Sequence, residues 1–193
     1  MPNVNKAFGL RPVGNLSATG AQKQYGYQIQ AGYATAIYQG DLVVVYDGYI
    51  IKYDAATHAA PTGVFNGVQY NDPTRADKPT WKNYYPGSIT PNIGPIVCEV
   101  LDDPSQLFLI QAAGTITQAD IGKNADPTAS TGGSNVTGVS AATLGTPAKT
   151  AALTMKIVGL SEQAGNELGQ YAVVVVKLNQ HQYGSVGVAA DGA

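Results

Sequence analysis

The sequence predicts an all-β protein, a single β-sandwich or barrel with an extended N-terminal arm and one long Pro-rich loop. Three observations predict it. Short apolar runs, several alternating with a period of two, recur along the chain and are closed by Gly, Pro, Asn or Asp. No stretch carries the 3.6-residue period of a helix of ordinary length. The chain has 193 residues and 44% hydrophobic content, enough for one domain with a sizeable core.

Residues 1–22 read as the arm. Pro2, Gly9, Pro12, Gly14 and Gly20 break any period, while Phe8, Leu10 and Val13 sit on a segment that cannot bury them alone. These side chains are expected to lie against a partner, with Arg11 adding a planar charged fork. The alternative is that the arm folds back and completes its own sheet.

The β-rich domain is expected over 23–180. Tyr25, Tyr27 and Ile29 alternate with Gln24, Gly26, Gln28 and Gln30. Strands follow at 33–38 and 41–46. Asp47-Gly48 suits a type I′ turn, because glycine takes positive φ without cost, and it joins 42–46 to 49–53 in a hairpin. A further strand is expected at 63–70. Residues 71–95 hold five of the eleven prolines together with Trp81, Tyr84 and Tyr85, and read as a long loop kept ordered by its aromatics. Strands at 96–101 and 107–112 flank Asp102-Asp103-Pro104-Ser105. A single helical turn fits 117–121, weak short strands fit 124–150, and strands at 153–160 and 171–178 are bridged by a turn at 161–169. Val173, Val174, Val175 and Val176 are apolar on both faces, which predicts a central strand. Residues 181–193 form a Gly-rich tail.

Charged residues make up 12% of the chain, about half the usual share. Such a neutral surface is easily desolvated against a partner, so self-association as a dimer or trimer is expected. The net charge of −2, with no basic run, gives no footprint for nucleic acid or an acidic membrane. The first residues lack the apolar core of a signal peptide, and no apolar run approaches the ~20 residues of a membrane helix. Synthesis in a cytoplasm is therefore expected.

No catalytic, metal or cofactor site is legible. Cys98, the one cysteine, lies in an apolar run and reads as a buried, inert thiol. His58 and His181 have small or polar neighbours and read as surface histidines, without the clustered ligands of a zinc site. Gly132-Gly133-Ser134-Asn135-Val136 lacks the second glycine of a nucleophile elbow, and Gly122-Lys123-Asn124 lacks the spacing of a phosphate loop. Asp102 and Asp103 could serve acid–base chemistry or Ca²⁺, but a solvated turn before Pro104 is the reading preferred. Ten of the twelve tyrosines lie between residues 25 and 85. Tyr25, Tyr27, Tyr49 and Tyr53 are expected to fill the core, whereas Trp81, Tyr84 and Tyr85 are candidates for an interface or a ligand.

A series of short motifs runs through the chain in order. It opens with Asn5-Lys6-Ala7-Phe8-Gly9-Leu10-Arg11-Pro12-Val13, continues with Gly40-Asp41-Leu42-Val43 and Gly63-Val64-Phe65-Asn66-Gly67-Val68, and passes through Asp102-Asp103-Pro104 and Phe108-x-Ile110-Gln111. It ends in Val175-x-Lys177-Leu178-Asn179-Gln180-His181. Together these motifs resemble those of the capsid decoration (cement) proteins of tailed bacteriophages. The resemblance implies a jelly-roll-like β fold, a small oligomer, and a place on the outer capsid surface bridging major capsid subunits. Phe8, Leu10, Arg11, Val13, Trp81, Tyr84 and Tyr85 are the candidate contact residues. A glycan- or host-binding virion module, or a tail or head–tail joining protein, are the alternatives.

Overall fold

The computed structural model describes residues 3–17, 24–128 and 132–184. The remainder of the expected arm and residues 185–193 of the expected tail lie outside them. The strands are β1 (Arg11–Asn15), β2 (Gln24–Ile29), β3 (Ile37–Tyr38), β4 (Leu42–Tyr46), β5 (Tyr49–Lys52), β6 (Gly63–Asp72), β7 (Lys78–Lys82), β8 (Tyr84–Tyr85), β9 (Ile96–Leu101), β10 (Gln106–Gln111), β11 (Thr115–Ile116), β12 (Asn124–Ala125), β13 (Met155–Leu160), β14 (Gly169–Gln170) and β15 (Val173–Leu178). Single 3-10 turns at Pro73–Arg75 and Gln118–Asp120 are the helical elements among the described residues. The second falls within the turn expected at 117–121.

The ladders between these strands are antiparallel. Five strands form one sheet in the order β1-β10-β15-β13-β12, and a six-stranded sheet runs β2-β9-β6-β4-β5 with β7 added to β6. Leu42, Val44, Val64 and Leu101 of the second sheet pack on Phe108, Ile110, Met155, Ile157, Val174 and Val176 of the first, giving a sandwich-like core. The other side of the six-stranded sheet has its own core of Ile29, Ile37, Val43, Ile50, Phe65, Val68, Tyr85, Ile96, Cys98 and Val100. This sheet curls until β2 and β5, at opposite ends of its order, lie side by side.

The expected hairpin is present: Tyr46 faces Tyr49 across Asp47-Gly48, at φ 48° and 80°. β15 is central as expected, between β10 and β13. Val174 and Val176 are buried, whereas Val173 and Val175 on the opposite face are only half-buried.

Four expectations are corrected. The arm is extended but not free. β1 pairs with β10, and Gln111 clamps residues ahead of it, its Oε1 accepting from the Lys6 N–H and its Nε2 donating to the Val4 carbonyl. The alternative of a segment completing its own sheet is what the structure shows, because Leu10 gains a core site that no local contact offers. The long loop at 71–95 is largely strand: β6 runs on to Asp72, turns through Pro73–Arg75 and returns as β7. Pro79 is accommodated because β7 has a partner on one side only. The strand expected at 33–38 shrinks to Ile37–Tyr38, which pairs with β8. Finally, Tyr25 is 58% exposed and Tyr49 36%. Of the four tyrosines expected in the core only Tyr53 is buried there, with Tyr27 half-buried.

Candidate interaction surface

The motif residues converge on two junctions. At the first, Gly9 and Gly40 meet backbone to backbone, both with positive φ. The Leu10 N–H donates to the Gly40 carbonyl at 2.9 Å, and the Gly40 N–H donates to the Phe65 carbonyl at 2.9 Å. A Cβ on Gly9 would come within 2.8 Å of the Gly40 carbonyl oxygen. Beside them Asp41, 1% exposed, accepts from the Tyr38 N–H and the Ser140 hydroxyl and pairs with Lys52 at 2.9 Å. The second junction joins Asp102-Asp103-Pro104 to the end of the chain's last motif. Asp103 behaves as the expected turn former, accepting from the Ser105 N–H at 2.7 Å. Asp102 does not: it is 9% exposed and accepts from the Tyr27 hydroxyl at 2.8 Å.

His181 likewise departs from expectation. It is 4% exposed, its Nδ1 accepts from the Tyr183 N–H at 3.0 Å, and burial lowers its pKa below the usual value despite Asp102 and Asp103 nearby. Burial, reinforced by Asp102, raises the Tyr27 phenol in turn. Asp102 Oδ1 and His181 Nε2 are buried without a hydrogen-bond partner among the described residues. The other histidine, His58, is half-buried in a turn, where its Nδ1 accepts from the Asp54 N–H. Cys98 is fully buried and its thiol is pushed up to about 12, so it stays protonated and unreactive at neutral pH.

A cleft of about 580 Å³ opens beside Asp41 and Lys52 and is walled by Leu10, Tyr53 and Asp126. Its carboxylates Asp41 and Asp126 are engaged structurally. Asp126 accepts from both the N–H and the hydroxyl of Thr154, and Asp41 is paired as above. No group of three or more His, Cys, Asp or Glu side chains among the described residues is placed to hold a metal ion. No helix among them is long and apolar enough to cross a membrane.

The seven candidate contact residues fall apart in space. Leu10 and Tyr85 are core residues, 3% and 0% exposed; the Tyr85 hydroxyl donates to the Tyr33 carbonyl. Tyr84 stacks on Tyr38 with ring centroids 5.7 Å apart. Phe8 is half-buried beneath the Arg11 guanidinium, 4.8 Å from its ring centre. Only Arg11, Val13 and Trp81 are well exposed.

Arg11 and Val13 border a surface that the sequence did not single out. Register places Arg11, Leu109 and Val175 in one row across β1, β10 and β15. Leu107 and Val173 are half-buried on the same strands, and Val13 and Val158 are 50% and 41% exposed. The same register sets Lys177 opposite Leu107 and Lys156 opposite Lys177, so this outward face of the five-stranded sheet mixes aliphatic side chains with Arg11, Lys156 and Lys177, and its Leu109 is buried at 6% exposure. The run of valines in β15 was its one signal in the sequence.

No protein-family model matches the chain, and no curated protein or solved structure matches it significantly.

Proposed function

We propose that the protein is a non-enzymatic virion component that decorates the outer surface of a phage head and stabilises it by bridging major capsid subunits. The jelly-roll-like winding and small oligomer implied by the resemblance belong to this reading. The observation that carries it is the outward face of the five-stranded sheet, where the exposed Val13 and Val158 and the half-buried Leu107, Val173 and Val175 stand among Arg11, Lys156 and Lys177. A β-layer that exposes apolar side chains interspersed with cations offers a partner both apolar area and charge complementarity. Support also comes from the motif residues, which serve as structural junctions. The contact surface, on this reading, is the sheet face rather than a projecting arm.

The test uses heads that lack the protein. Purified protein should co-sediment with them in many copies and appear in a density map at repeated lattice positions. Val13→Asp with Val158→Asp should keep the β spectrum and bind about tenfold or more weakly. Failure to bind heads, or a few copies confined to one vertex, overturns the proposal.

A further inference from the structure

We propose that the outward face of the β7–β6–β9–β2 ladder is a binding site for a neutral sugar ring, stacked on Trp81. The site is separate from the five-stranded sheet's face described above, and the inference does not rest on the capsid reading.

The register builds this face. Gln69 lies opposite Trp81 on one side and Val97 on the other, and Val97 lies opposite Gln28. In the adjoining row Gly67 faces Glu99, and Glu99 faces Gly26. Trp81 is 58% exposed although it is the largest side chain in the molecule. Its indole lies over Gly67, where a Cβ would fall 2.8 Å from Cζ2 and 3.2 Å from Nε1. Gly67 therefore lets the ring rest against the strand while much of its surface stays open to solvent.

On the same face stand Gln69, next to Trp81 and exposed, and Glu99, half-exposed, while the exposed Gln28 lies two strands beyond Gln69 in the same row. Two strand spacings, roughly 10 Å, separate the β7 and β9 backbones, so the indole, lying across Gly67 of β6, extends from β7 towards Glu99 and presents its outer face to solvent.

This combination selects its ligand by chemistry. An exposed indole face gains from a flat apolar partner, and the C–H face of a pyranose is one. Carboxamides donate and accept, matching the hydroxyl groups at the rim of such a ring, and a carboxylate can accept from two of them. Among the described residues the face offers a single negative charge and no paired cation, which suits an uncharged sugar and disfavours a sialylated or sulfated one. Of the three aromatic residues at 81–85 that sequence suggested for stacking, Tyr84 and Tyr85 are already occupied by Tyr38 and the core.

Trp81 is the one tryptophan in the chain, so emission excited beyond the absorption of the twelve tyrosines reports on this site alone. Titration of the full chain with neutral hexose and N-acetylhexosamine oligosaccharides should give a saturable change in emission at micromolar to millimolar concentration. Ligand-observed NMR should show saturation transfer that is lost in Trp81→Ala. Glu99→Gln and Gln69→Ala keep the fluorophore and should weaken binding about tenfold each. Far-UV circular dichroism confirms that each variant folds, and Trp81→Phe, which keeps an aromatic face, should retain part of the affinity. Emission unmoved by every neutral oligosaccharide would overturn the proposal. So would transfer that persists in Trp81→Ala, or a response confined to proline-rich peptides.

Discussion

His181 shows how far a single residue can depart from its sequence neighbourhood. Its polar neighbours, Gln180 and Gln182, read as surface, and nothing local signals that it is buried beside Asp102. The cause is tertiary: the segment after β15 crosses the six-stranded sheet and is fastened there. Gln182 places its carboxamide against the Val45 backbone, accepting from the N–H at 3.2 Å and donating to the carbonyl at 3.1 Å. It extends the β4 ladder as another strand would. A histidine held neutral by burial has a pH consequence. Its folded pKa lies below the unfolded value of 6.5, so the unfolded chain takes up the proton first as pH falls. The associated stability is complete above that value and is lost between it and the lowered folded pKa. Urea midpoints are therefore expected to fall between pH 7.5 and pH 5.5, and His181→Gln should flatten that dependence. Gly9 is a second position where local sequence underdetermines the outcome. Gly9→Ala must strain a φ of 68° and press on Ser140 and Gly40, so a loss of about 1–3 kcal/mol is expected in equilibrium unfolding.

At the scale of elements, legibility followed the locality of the cause. The Asp47-Gly48 hairpin was readable because its turn chemistry is contained in adjacent residues. β9, β10, β13 and β15 were readable because their apolar runs are long enough to declare themselves. β7 and β8 were not, because prolines and aromatics there mimic a loop, and only pairing with β6 and β3 makes them strands. β1 was ambiguous for the same reason: Phe8, Leu10 and Val13 demand burial without saying where. Its placement changes what truncation should do. Leu10 is 3% exposed in the shared core, so Leu10→Ala should cost about 2–5 kcal/mol. Deleting residues 2–14 removes most of β1 and bares the edge of β10. The truncated chain should unfold at markedly lower urea and scatter light on warming, rather than remain a stable domain that has merely lost a contact. An unchanged urea midpoint after that deletion would show that β1 adds nothing to the sheet.

For the whole molecule, the low charge leads us to expect self-association, and the exposed apolar side chains give that expectation places to be tested. With 12% charged residues the chain has few means of repelling copies of itself. Its exposed apolar side chains include Val13, Val158 and Val4, at 50%, 41% and 76%. A contact built on such side chains has an identifiable signature. Attraction between opposite charges weakens with salt as screening shortens its range, whereas apolar burial does not. Sedimentation velocity at micromolar concentration should therefore show a dimer or trimer, and raising salt from 0.05 M to 0.5 M should leave that population unchanged or increase it. Val13→Lys with Val158→Lys adds charge to the outward face of the five-stranded sheet at exposed positions, where stability should change by less than about 1 kcal/mol. It should shift the distribution towards monomer, and the residual association should become sensitive to salt. A wild-type chain that sediments as a monomer under all these conditions would refute self-association in solution. A double variant that stays oligomeric would place the contact on another surface.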